Sequence, residues 1–326
     1  MPERPRLSVV CPAYQEEEVL PRFHAALAAA IDPLAAGYDL EVLYVDDGSR
    51  DRTLGAIRGL AATDPRVRYV SLSRNFGKEA ALVAGLEHAA GDAVVTLDSD
   101  LQHPPGLIPD LVARWRDGAD LIVLYRAEEC EGRLAKRVGT ALFYRLLGWL
   151  SAVPIRPSST DYCLMSRPAV DAMVRLTEAH RYTPGLVRWL GFTPAELPFV
   201  PAPRAAGRTR FPFRALVRLA TNALMSFSPS LARTAAGVGL ALTGVSLVLS
   251  LAAVALLVPL AEPAARVGLV VLTAAHVLAA CGLAAAGVLG EYAARIYDQA
   301  KGRPVYVVKE ATADAGHGVA RLPRAA

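Results

Sequence analysis

Long stretches of this chain lack one sign of charge or lack charge altogether. Leu197–Ala261 contains no aspartate or glutamate but six arginines. A local basic excess indicates phosphate-bearing partners, which are nucleic acid, phospholipid headgroups or phosphorylated ligands. Residues 235–261 carry no charged residue, and neither do residues 267–290, which contain one histidine, His276. Because about 20 apolar residues cross the hydrocarbon of a bilayer, these runs favour a membrane over nucleic acid as the partner.

The two uncharged runs predict a transmembrane hairpin with spans at about 235–260 and 267–290. Two buried core helices are the alternative, although helices of water-soluble proteins rarely stay uncharged over such a length. Basic residues flanking the hairpin outnumber Arg266, the one basic residue in its loop. The positive-inside rule therefore predicts a multi-pass protein of the inner (cytoplasmic) membrane with both termini in the cytosol. The basic residues after the second span are Arg295, Lys301, Arg303 and Lys309.

Other absences narrow the function further. The amino terminus has no long apolar core of the kind found in secretory signal peptides, so we expect the amino-terminal part to stay in the cytosol. No GxGxxG follows the first predicted strand and no GxxxxGK[ST] occurs, which argues against a dinucleotide site and a P-loop. The four cysteines lack metal-type spacing and are expected to be free, packed thiols. They are Cys11, Cys130, Cys163 and Cys281.

The first 210 residues alternate strand patterns with helix patterns. Short apolar runs predict five strands, at 7–12, 39–47, 67–73, 92–98 and 119–125. Such alternation predicts an α/β domain with a mostly parallel sheet covered on both faces. Ligands of these sheets bind beyond the carboxyl ends of the strands, so the polar residues that follow the strands are expected to converge on one rim.

Two acidic pairs occupy that predicted rim. Asp98 and Asp100 follow the fourth strand, and Asp46 and Asp47 end the second. An Asp-x-Asp pair by itself is more often a turn cap, but two acidic clusters at one cleft favour a divalent cation that shares its coordination with substrate phosphates. Gln102 offers a further side-chain oxygen. The predicted cofactor is therefore Mg²⁺ or Mn²⁺.

The chain divides into four predicted parts. Residues 1–210 form the cytosolic α/β domain, and residues 211–232 form an amphipathic helix at the membrane interface, or alternatively one packed on the domain. Residues 233–290 hold the two spans, and residues 291–326 form a cytosolic tail.

Several motifs in their order resemble the polyprenyl-phosphate glycosyltransferases. The motifs are VVCPAYQEEEVL, EVLYVDDGSRDRT, LSRNFGKEAALVAGLEHAAGDAVVTLDSDLQHPP, RAAGRTRF and GEYAARIYDQAKGRPVY. The resemblance covers residues 7–308. The family that it indicates includes dolichol-phosphate mannose synthase and the bacterial undecaprenyl-phosphate sugar transferases. It implies a GT-A (Rossmann-like) domain that transfers sugar from a nucleotide-diphosphate sugar to a polyprenyl phosphate with inversion, for cell-envelope modification. Relatives often form tetramers, which implies a possible homo-oligomer.

The resemblance also implies roles for individual residues. Asp98, Asp100 and Gln102 match the metal motif, with Asp100 and Gln102 as the expected direct ligands. Residues expected to bind the nucleotide sugar are Pro12, Tyr14, Glu16, Asp46, Asp47, Lys78, Asp98 and Ser99. Residues expected near the acceptor phosphate are Arg126, Arg133, Arg137, Arg204 and Arg210. Asp100 and Arg126 are the expected catalytic residues.

Three positions depart from the pattern of these relatives. Cys163 and Pro184 stand where many relatives have arginine, and Glu129 replaces a second arginine after Arg126. These changes either indicate a different donor sugar or weaken contacts to the acceptor phosphate. A catalytically silent membrane scaffold or sensor and a processive polysaccharide synthase are the alternative functions.

Overall fold

The computed structural model describes residues 4–127, 159–176, 178, 181, 183–192, 194–200, 244–245, 248–249, 252 and 262–312. Its strands are β1 (Arg6–Ala13), β2 (Asp39–Asp46), β3 (Val67–Leu72), β4 (Ala93–Thr96), β5 (Leu121–Arg126), β6 (Ser159–Ser166), β7 (Ala195–Phe199) and β8 (Val308–Ala311). Its helices are α1 (Leu20–Ile31), α2 (Thr53–Thr63), α3 (Lys78–His88), α4 (Ile108–Arg116), α5 (Arg167–Val174), α6 (Thr183–Trp189) and α7 (Pro263–Ala300).

All eight strands belong to one sheet, in the order β7-β5-β6-β4-β1-β2-β3-β8. The pairs β1–β2, β2–β3, β1–β4 and β5–β7 are parallel, so the predicted α/β fold with a mostly parallel sheet is confirmed. The sequence pattern did not reveal where β6 belongs. This strand lies antiparallel between β4 and β5 and separates two strands that are neighbours in the chain.

The two faces of the sheet bury separate apolar clusters because successive side chains of a strand point to opposite faces. In β1, Leu7 and Val9 pack with residues of α1, α2 and α4, whereas Val10 packs with residues of α3, α5 and α6. Burial on both faces explains why the central strands read as continuous apolar runs rather than alternating ones. Each fully buried Val or Leu side chain contributes about 1.5–3 kcal/mol.

The carboxyl-terminal segment corrects the predicted division of the chain. Residues 308–311, which the sequence assigned to the tail, form the edge strand β8 and pair antiparallel with β3. The sheet therefore draws on residues outside the predicted 1–210 domain. The pattern missed this strand because it is only four residues long and Lys309 and Glu310 interrupt its apolar character.

The predicted membrane hairpin lies partly outside the described residues. Most of the predicted first span, at about 235–260, falls there, as does the predicted interfacial helix at 211–232. The second, at 267–290, lies within α7, which continues to Ala300. Across the part of the chain that the structure describes, no helix combines the length and the apolar character needed to cross a membrane.

Small residues let α3 lie close to the sheet. A Cβ on Gly85 would lie 2.2 Å from Val10 Cγ1 and 3.2 Å from Val45 Cγ2, both in the buried interior. The helix is thus held at a distance that leaves no room for a methyl group. Because α3 begins with Lys78, this packing also fixes one side of the rim.

We predict that Gly85→Ala lowers the free energy of unfolding by about 1–3 kcal/mol, because the added methyl group overpacks the interface of α3 with the sheet. Urea unfolding followed by tryptophan fluorescence measures the change. The matched control is Gly59→Ala in α2, where nothing lies within 4 Å of an added Cβ. That control is expected to leave stability unchanged or raise it by up to ~1 kcal/mol. A Gly85→Ala variant as stable as the wild type would contradict the close packing.

Candidate active site at the carboxyl ends of the strands

The predicted rim exists as one edge of the sheet. Strands β4, β1, β2 and β3 are consecutive in the sheet and parallel, so the loops that follow them emerge side by side. Between these loops and β8 lies a cleft of about 270 Å³. Its lining residues are Tyr14, Asp46, Gly48, Ser49, Arg50, Leu54, Ser71, Leu72, Ser73, Arg74, Asn75 and Lys309. Two predicted nucleotide residues, Tyr14 and Asp46, thus lie in the same cleft.

Asp46 shapes the floor of this cleft. Its carboxylate is 1% exposed and accepts hydrogen bonds from the Ser49 N–H at 3.0 Å and from the Ser71 hydroxyl at 2.8 Å. The turn from Asp46 to Ser49 needs glycine at position 48. Gly48 has φ +64°, and a Cβ added there would lie 2.2 Å from the Arg74 carbonyl carbon. The loops after β2 and β3 therefore touch, and only glycine permits this approach.

Asp47 organises the loop that leads into α3. One oxygen accepts the Phe76 N–H at 2.7 Å, and the other accepts the Gly77 N–H at 3.0 Å and the Asn75 amide at 2.9 Å. Burial raises the pKa of Asp47 above its ordinary value, although the two backbone N–H groups act in the opposite direction. The structure places this predicted nucleotide residue as a support of the loop, with both oxygens engaged by protein donors.

The loop after β1, which holds the predicted nucleotide-sugar residues Pro12, Tyr14 and Glu16, is likewise held by hydrogen bonds of its backbone. Gln15 adopts φ +56° and its N–H reaches the Ser49 hydroxyl at 3.1 Å. The Glu16 N–H reaches the Thr53 hydroxyl at 2.9 Å. The buried carbonyl of Pro12 accepts the Ser99 hydroxyl at 2.8 Å, which ties the loop after β4 to the end of β1. Ser99 is buried, so its role in the structure is to join two loops.

A second group of charges surrounds Lys78, the first residue of α3. Its ammonium nitrogen lies 2.7 Å from Asp98 Oδ1 and 2.7 Å from Asp161 Oδ2. Burial alone would lower the pKa of Lys78, but the two carboxylates raise it. Burial would raise the pKa of Asp98, but the charge of Lys78 holds it below its ordinary value. In this ion-pair triad of Lys78, Asp98 and Asp161, the Lys78 ammonium and the Asp98 carboxylate thus stay charged across the physiological range.

Asp161 is a site residue that the sequence reading missed. It lies in β6, and its Oδ1 is buried without a hydrogen-bond partner among the described residues. Because β6 was not among the five predicted strands, nothing in the pattern placed it beside β4. The sequence offered one indication, the acidic residue in STDYCLMS. That residue can be assigned to the site only when β6 is known to pair with β4.

The loop after β4 presents the predicted metal motif. The Gln102 N–H donates to Asp100 Oδ1 at 3.0 Å across Leu101, which adopts φ +63°. Asp100 and Gln102 supply the hard oxygen donors that Mg²⁺ and Mn²⁺ prefer. Asp98, by contrast, is held by Lys78 and is placed as an ion-pair partner. In the described ranges, no three His, Cys, Asp or Glu residues form a cluster suited to holding a metal ion.

His103 fixes the far end of this loop. The ring is 3% exposed, stacks on Tyr162 with centroids 5.3 Å apart, and meets Phe199 edge-on at 5.7 Å. Its Nδ1 accepts the Asp98 N–H at 3.2 Å. Burial lowers the pKa of His103, so the ring is neutral at physiological pH. The His103 ring therefore acts as a packing residue that fills the loop.

Arg126 ends β5 on the side of the site opposite the 270 Å³ cleft. Its charge contributes to the lowered pKa of Asp98, and its Nε is buried without a hydrogen-bond partner among the described residues. A buried guanidinium N–H without an acceptor in the protein can donate a hydrogen bond to an anionic ligand. The other predicted acceptor residues lie outside the described residues. They are Arg133, Arg137, Arg204 and Arg210.

Two of the three departures from the family pattern have structural explanations, and the third, Glu129, lies outside the described residues. Cys163 is buried in β6 with its sulfur 3.3 Å from the Thr96 hydroxyl, and burial raises the pKa of the thiol to about 12. The thiol is therefore a neutral packing group that does not face a ligand. Pro184 is the second residue of α6, where proline is compatible with a helix start.

Glu79 lies next to the triad and adds a titrating group. The Thr183 hydroxyl donates a hydrogen bond to Glu79 Oε2. Burial, reinforced by the charge of Asp161, raises the pKa of Glu79 to about 7, whereas Thr183 and Lys78 act in the opposite direction. The sequence did not predict a role for Glu79. Its environment depends on the packing of α6 near the start of α3, which a local pattern does not show.

Comparison with known proteins gives a consistent family. Residues 8–171 match the family model described as "Glycosyl transferase family 2". The uncharacterized glycosyltransferase YkcC of Bacillus subtilis (strain 168) is 34% identical over 93% of both chains. The SfII prophage-derived bactoprenol glucosyl transferase of Shigella flexneri is 35% identical over 94% of this chain and 98% of its own.

Two solved structures are also similar to this chain. The mannosyltransferase PcManGT from Pyrobaculum calidifontis, in complex with GDP-Man and Mn²⁺, is 21% identical with a TM-score of 0.47, over 90% of this chain and 81% of its own. Glucosyl-3-phosphoglycerate synthase from Mycobacterium tuberculosis is 26% identical with a TM-score of 0.45, over 67% and 75%. At these TM-scores, the likeness supports no inference about this chain.

We predict that Glu79 makes stability depend on pH in a defined window. The unfolded chain releases the Glu79 proton near pH 4.5, whereas the folded chain holds it up to about pH 7. The folded state binds more protons between these values, so the contribution of Glu79 to the free energy of unfolding falls as pH rises from 4.5 to 7. At about 1.4 kcal/mol per pKa unit, the loss is on the order of 1–3 kcal/mol.

Glu79→Gln removes this titration and is expected to flatten the pH dependence, with stability above pH 7 equal to or greater than that of the wild type. Urea unfolding at half-unit pH intervals measures the slopes. Glu18→Gln, at an exposed position before α1, is the matched control and should keep the wild-type slope. An unchanged slope in Glu79→Gln would show that the buried carboxyl group is not the source.

Proposed function

Since this chain belongs to glycosyl transferase family 2, we propose that it transfers a sugar from a nucleotide-diphosphate donor to a membrane polyprenyl phosphate of the undecaprenyl type. The observation that carries the acceptor assignment is the 35% identity, over 94% of this chain, to a relative named as a bactoprenol glucosyl transferase. Because that similarity extends beyond residues 8–171, it includes the part that follows the catalytic domain.

The donor is proposed to bind along the rim. The cleft beside Tyr14 and Asp46 accepts the nucleoside, and the loop after β4 lies next to it and meets the diphosphate. Asp100 and Gln102 would hold Mg²⁺ or Mn²⁺, since such ions usually combine one or two protein carboxylates with substrate phosphates. A cation held there supplies Lewis-acid stabilisation of the leaving diphosphate.

Lys78 and Arg126 prepare the site for an anionic acceptor. Asp98 and Asp161 would repel a lipid phosphate, but the Lys78 ammonium lies between them and offsets one of their two negative charges. Arg126 then adds a cation with an unused buried N–H among the described residues. We propose that this guanidinium binds the acceptor phosphate and orients it toward the donor.

The nucleophile needs little activation by the protein. A phosphate monoester has a second pKa near ~6, so the lipid phosphate is largely dianionic at neutral pH. Its oxygen attacks the anomeric carbon while the bond to the nucleoside diphosphate breaks, and the bonding electron pair leaves with the diphosphate. Direct displacement inverts the anomeric centre. The chain's contribution is to hold two anionic substrates together against their mutual repulsion.

The membrane attachment is part of the same proposal. We propose that residues 233–290 form a transmembrane hairpin and residues 211–232 an interfacial helix, with the catalytic domain on the cytosolic side. Exposed apolar side chains on α7 support this, since Val267, Val271, Leu278 and Leu289 are each at least half exposed. Apolar surface of this kind needs lipid or another chain to cover it. A homo-oligomer, such as a tetramer, would cover part of it.

Radiolabelled UDP-glucose and undecaprenyl phosphate, incubated with the full chain and Mg²⁺ or Mn²⁺, test the transfer. Chloroform-soluble label is the expected result. Label in a long polymer would indicate a polysaccharide synthase. A lack of label with a panel of nucleotide sugars would indicate a catalytically silent protein.

We predict that Asp100→Ala lowers this transfer by about 100-fold or more, because the leaving diphosphate loses its electrostatic support. The matched control is Asp117→Ala, an exposed aspartate after α4, which should transfer at the wild-type rate. Thermal unfolding of both variants verifies that the fold is intact. Near-normal transfer by a folded Asp100→Ala variant would refute the proposed role of Asp100.

We predict that Arg126→Ala raises the KM for undecaprenyl phosphate by about 10-fold or more, because a charge-assisted hydrogen bond is lost. The KM for the nucleotide sugar should stay within about twofold of the wild type. Arg116→Ala in α4 is the control, because Arg116 is exposed on the surface. A rise confined to the nucleotide-sugar KM would place Arg126 on the donor side instead.

A further inference from the structure

The segment after α7 is attached firmly to the catalytic sheet. Its strand β8 pairs with β3, and the Ser73 N–H donates to the Val307 carbonyl at 2.8 Å. Arg58 of α2 donates hydrogen bonds to both carboxylate oxygens of Glu310. The distances are 3.0 Å from Nε to Oε1 and 2.7 Å from Nη2 to Oε2. The Tyr306 hydroxyl adds a hydrogen bond to Glu87 of α3. The segment therefore has a defined position beside the rim.

The pairing of β8 skips one residue. Ser71 pairs with Glu310 and the adjacent Leu72 pairs with Val308, so Lys309 has no partner in the ladder. An extra residue of this kind is a β-bulge, which commonly redirects a side chain at the edge of a site. Here the bulge lies at the end of β3, where the chain enters the rim. Lys309 is accordingly among the residues that line the 270 Å³ cleft.

The charges of the cleft are unbalanced. Lys309 shares it with Arg50 and Arg74, and Asp46 is the one carboxylate among the lining residues. Both Asp46 oxygens already accept hydrogen bonds from Ser49 and Ser71. Three cations gathered around one carboxylate favour an anionic occupant, since such a ligand offsets their mutual repulsion.

We propose that Lys309 is a donor-binding residue whose ammonium group donates a hydrogen bond to an oxygen of the bound nucleoside diphosphate. The nucleotide pocket is then completed by a residue that follows α7, far in sequence from the family-matching residues 8–171. This rests on the proposed function and deepens it, because it assigns part of the donor affinity to the carboxyl-terminal segment. In addition, the Arg58–Glu310 pair acts as a positioning contact for Lys309.

Nucleotide binding to the full chain in detergent tests the proposal. UDP and GDP are both titrated by calorimetry, and the one that binds the wild type more tightly serves as the probe. Lys309→Met should weaken its binding about 10-fold, as expected for a lost hydrogen bond from a charged group, whereas Lys309→Arg should stay within about threefold. Lys301→Met is the matched control, because Lys301 lies at the end of α7, pairs with Asp298 and does not line the cleft.

A double-mutant cycle tests the positioning contact. Glu310→Gln should weaken probe binding several-fold in the wild-type background and have little further effect in Lys309→Met, because its effect acts through the ammonium group. Lys309→Met should also reduce the salt dependence of binding, which a merely structural change would leave as it was.

The outcomes separate this proposal from the proposed function. If the wild-type chain transfers sugar to undecaprenyl phosphate and Lys309→Met binds the nucleotide with wild-type affinity, the proposed role of Lys309 is overturned. The proposed function then still stands. An equal loss in Lys301→Met would also overturn it. A wild-type chain that binds neither nucleotide and transfers no sugar would overturn both proposals.

Discussion

The ammonium group of Lys78 joins three parts of the chain: the start of α3, the loop after β4, and β6. It lies 2.7 Å from a carboxylate oxygen of Asp98, after β4, and 2.7 Å from one of Asp161, in β6. Without that cation, two carboxylates would face one another in a partly buried setting, where uncompensated charge is costly. The position of Lys78 depends in turn on Asp47, which holds the loop before α3, and on Gly85, which lets α3 lie against β1.

The rim is rigid because its loops bind one another rather than only the strands they leave. Ser99 binds the Pro12 carbonyl, Asp46 binds Ser71, and Gly48 lies against the backbone of Arg74. These contacts fix the distance between the 270 Å³ cleft and the triad of Lys78, Asp98 and Asp161. A glycosyl transfer needs such fixed spacing, because a nucleotide and a second anion must meet with little freedom left to lose.

Much of this arrangement could be predicted from local patterns. The β1–β4 strands are mostly apolar runs with polar residues directly after them, so the parallel sheet and the rim at its carboxyl edge followed from the sequence. The place of β6 did not, because strand order depends on which surfaces meet in three dimensions. Asp161 was missed for that reason. Asp47 and Ser99 were recognised as rim residues, but their supporting roles depend on hydrogen bonds to Gly77 and Pro12 that no spacing rule provides.

The short strand β8 also bears on how the chain matures during synthesis. Its partner β3 ends at Leu72, whereas Val308 lies more than two hundred residues later. Until those residues leave the ribosome, the N–H and C=O groups along the outer side of β3 have no strand to pair with, and such an open edge invites association with other chains. The sheet can therefore reach its full width only after residues 308–311 have been synthesised, so chains that stop before β8 are expected to be more prone to aggregation than chains that include it.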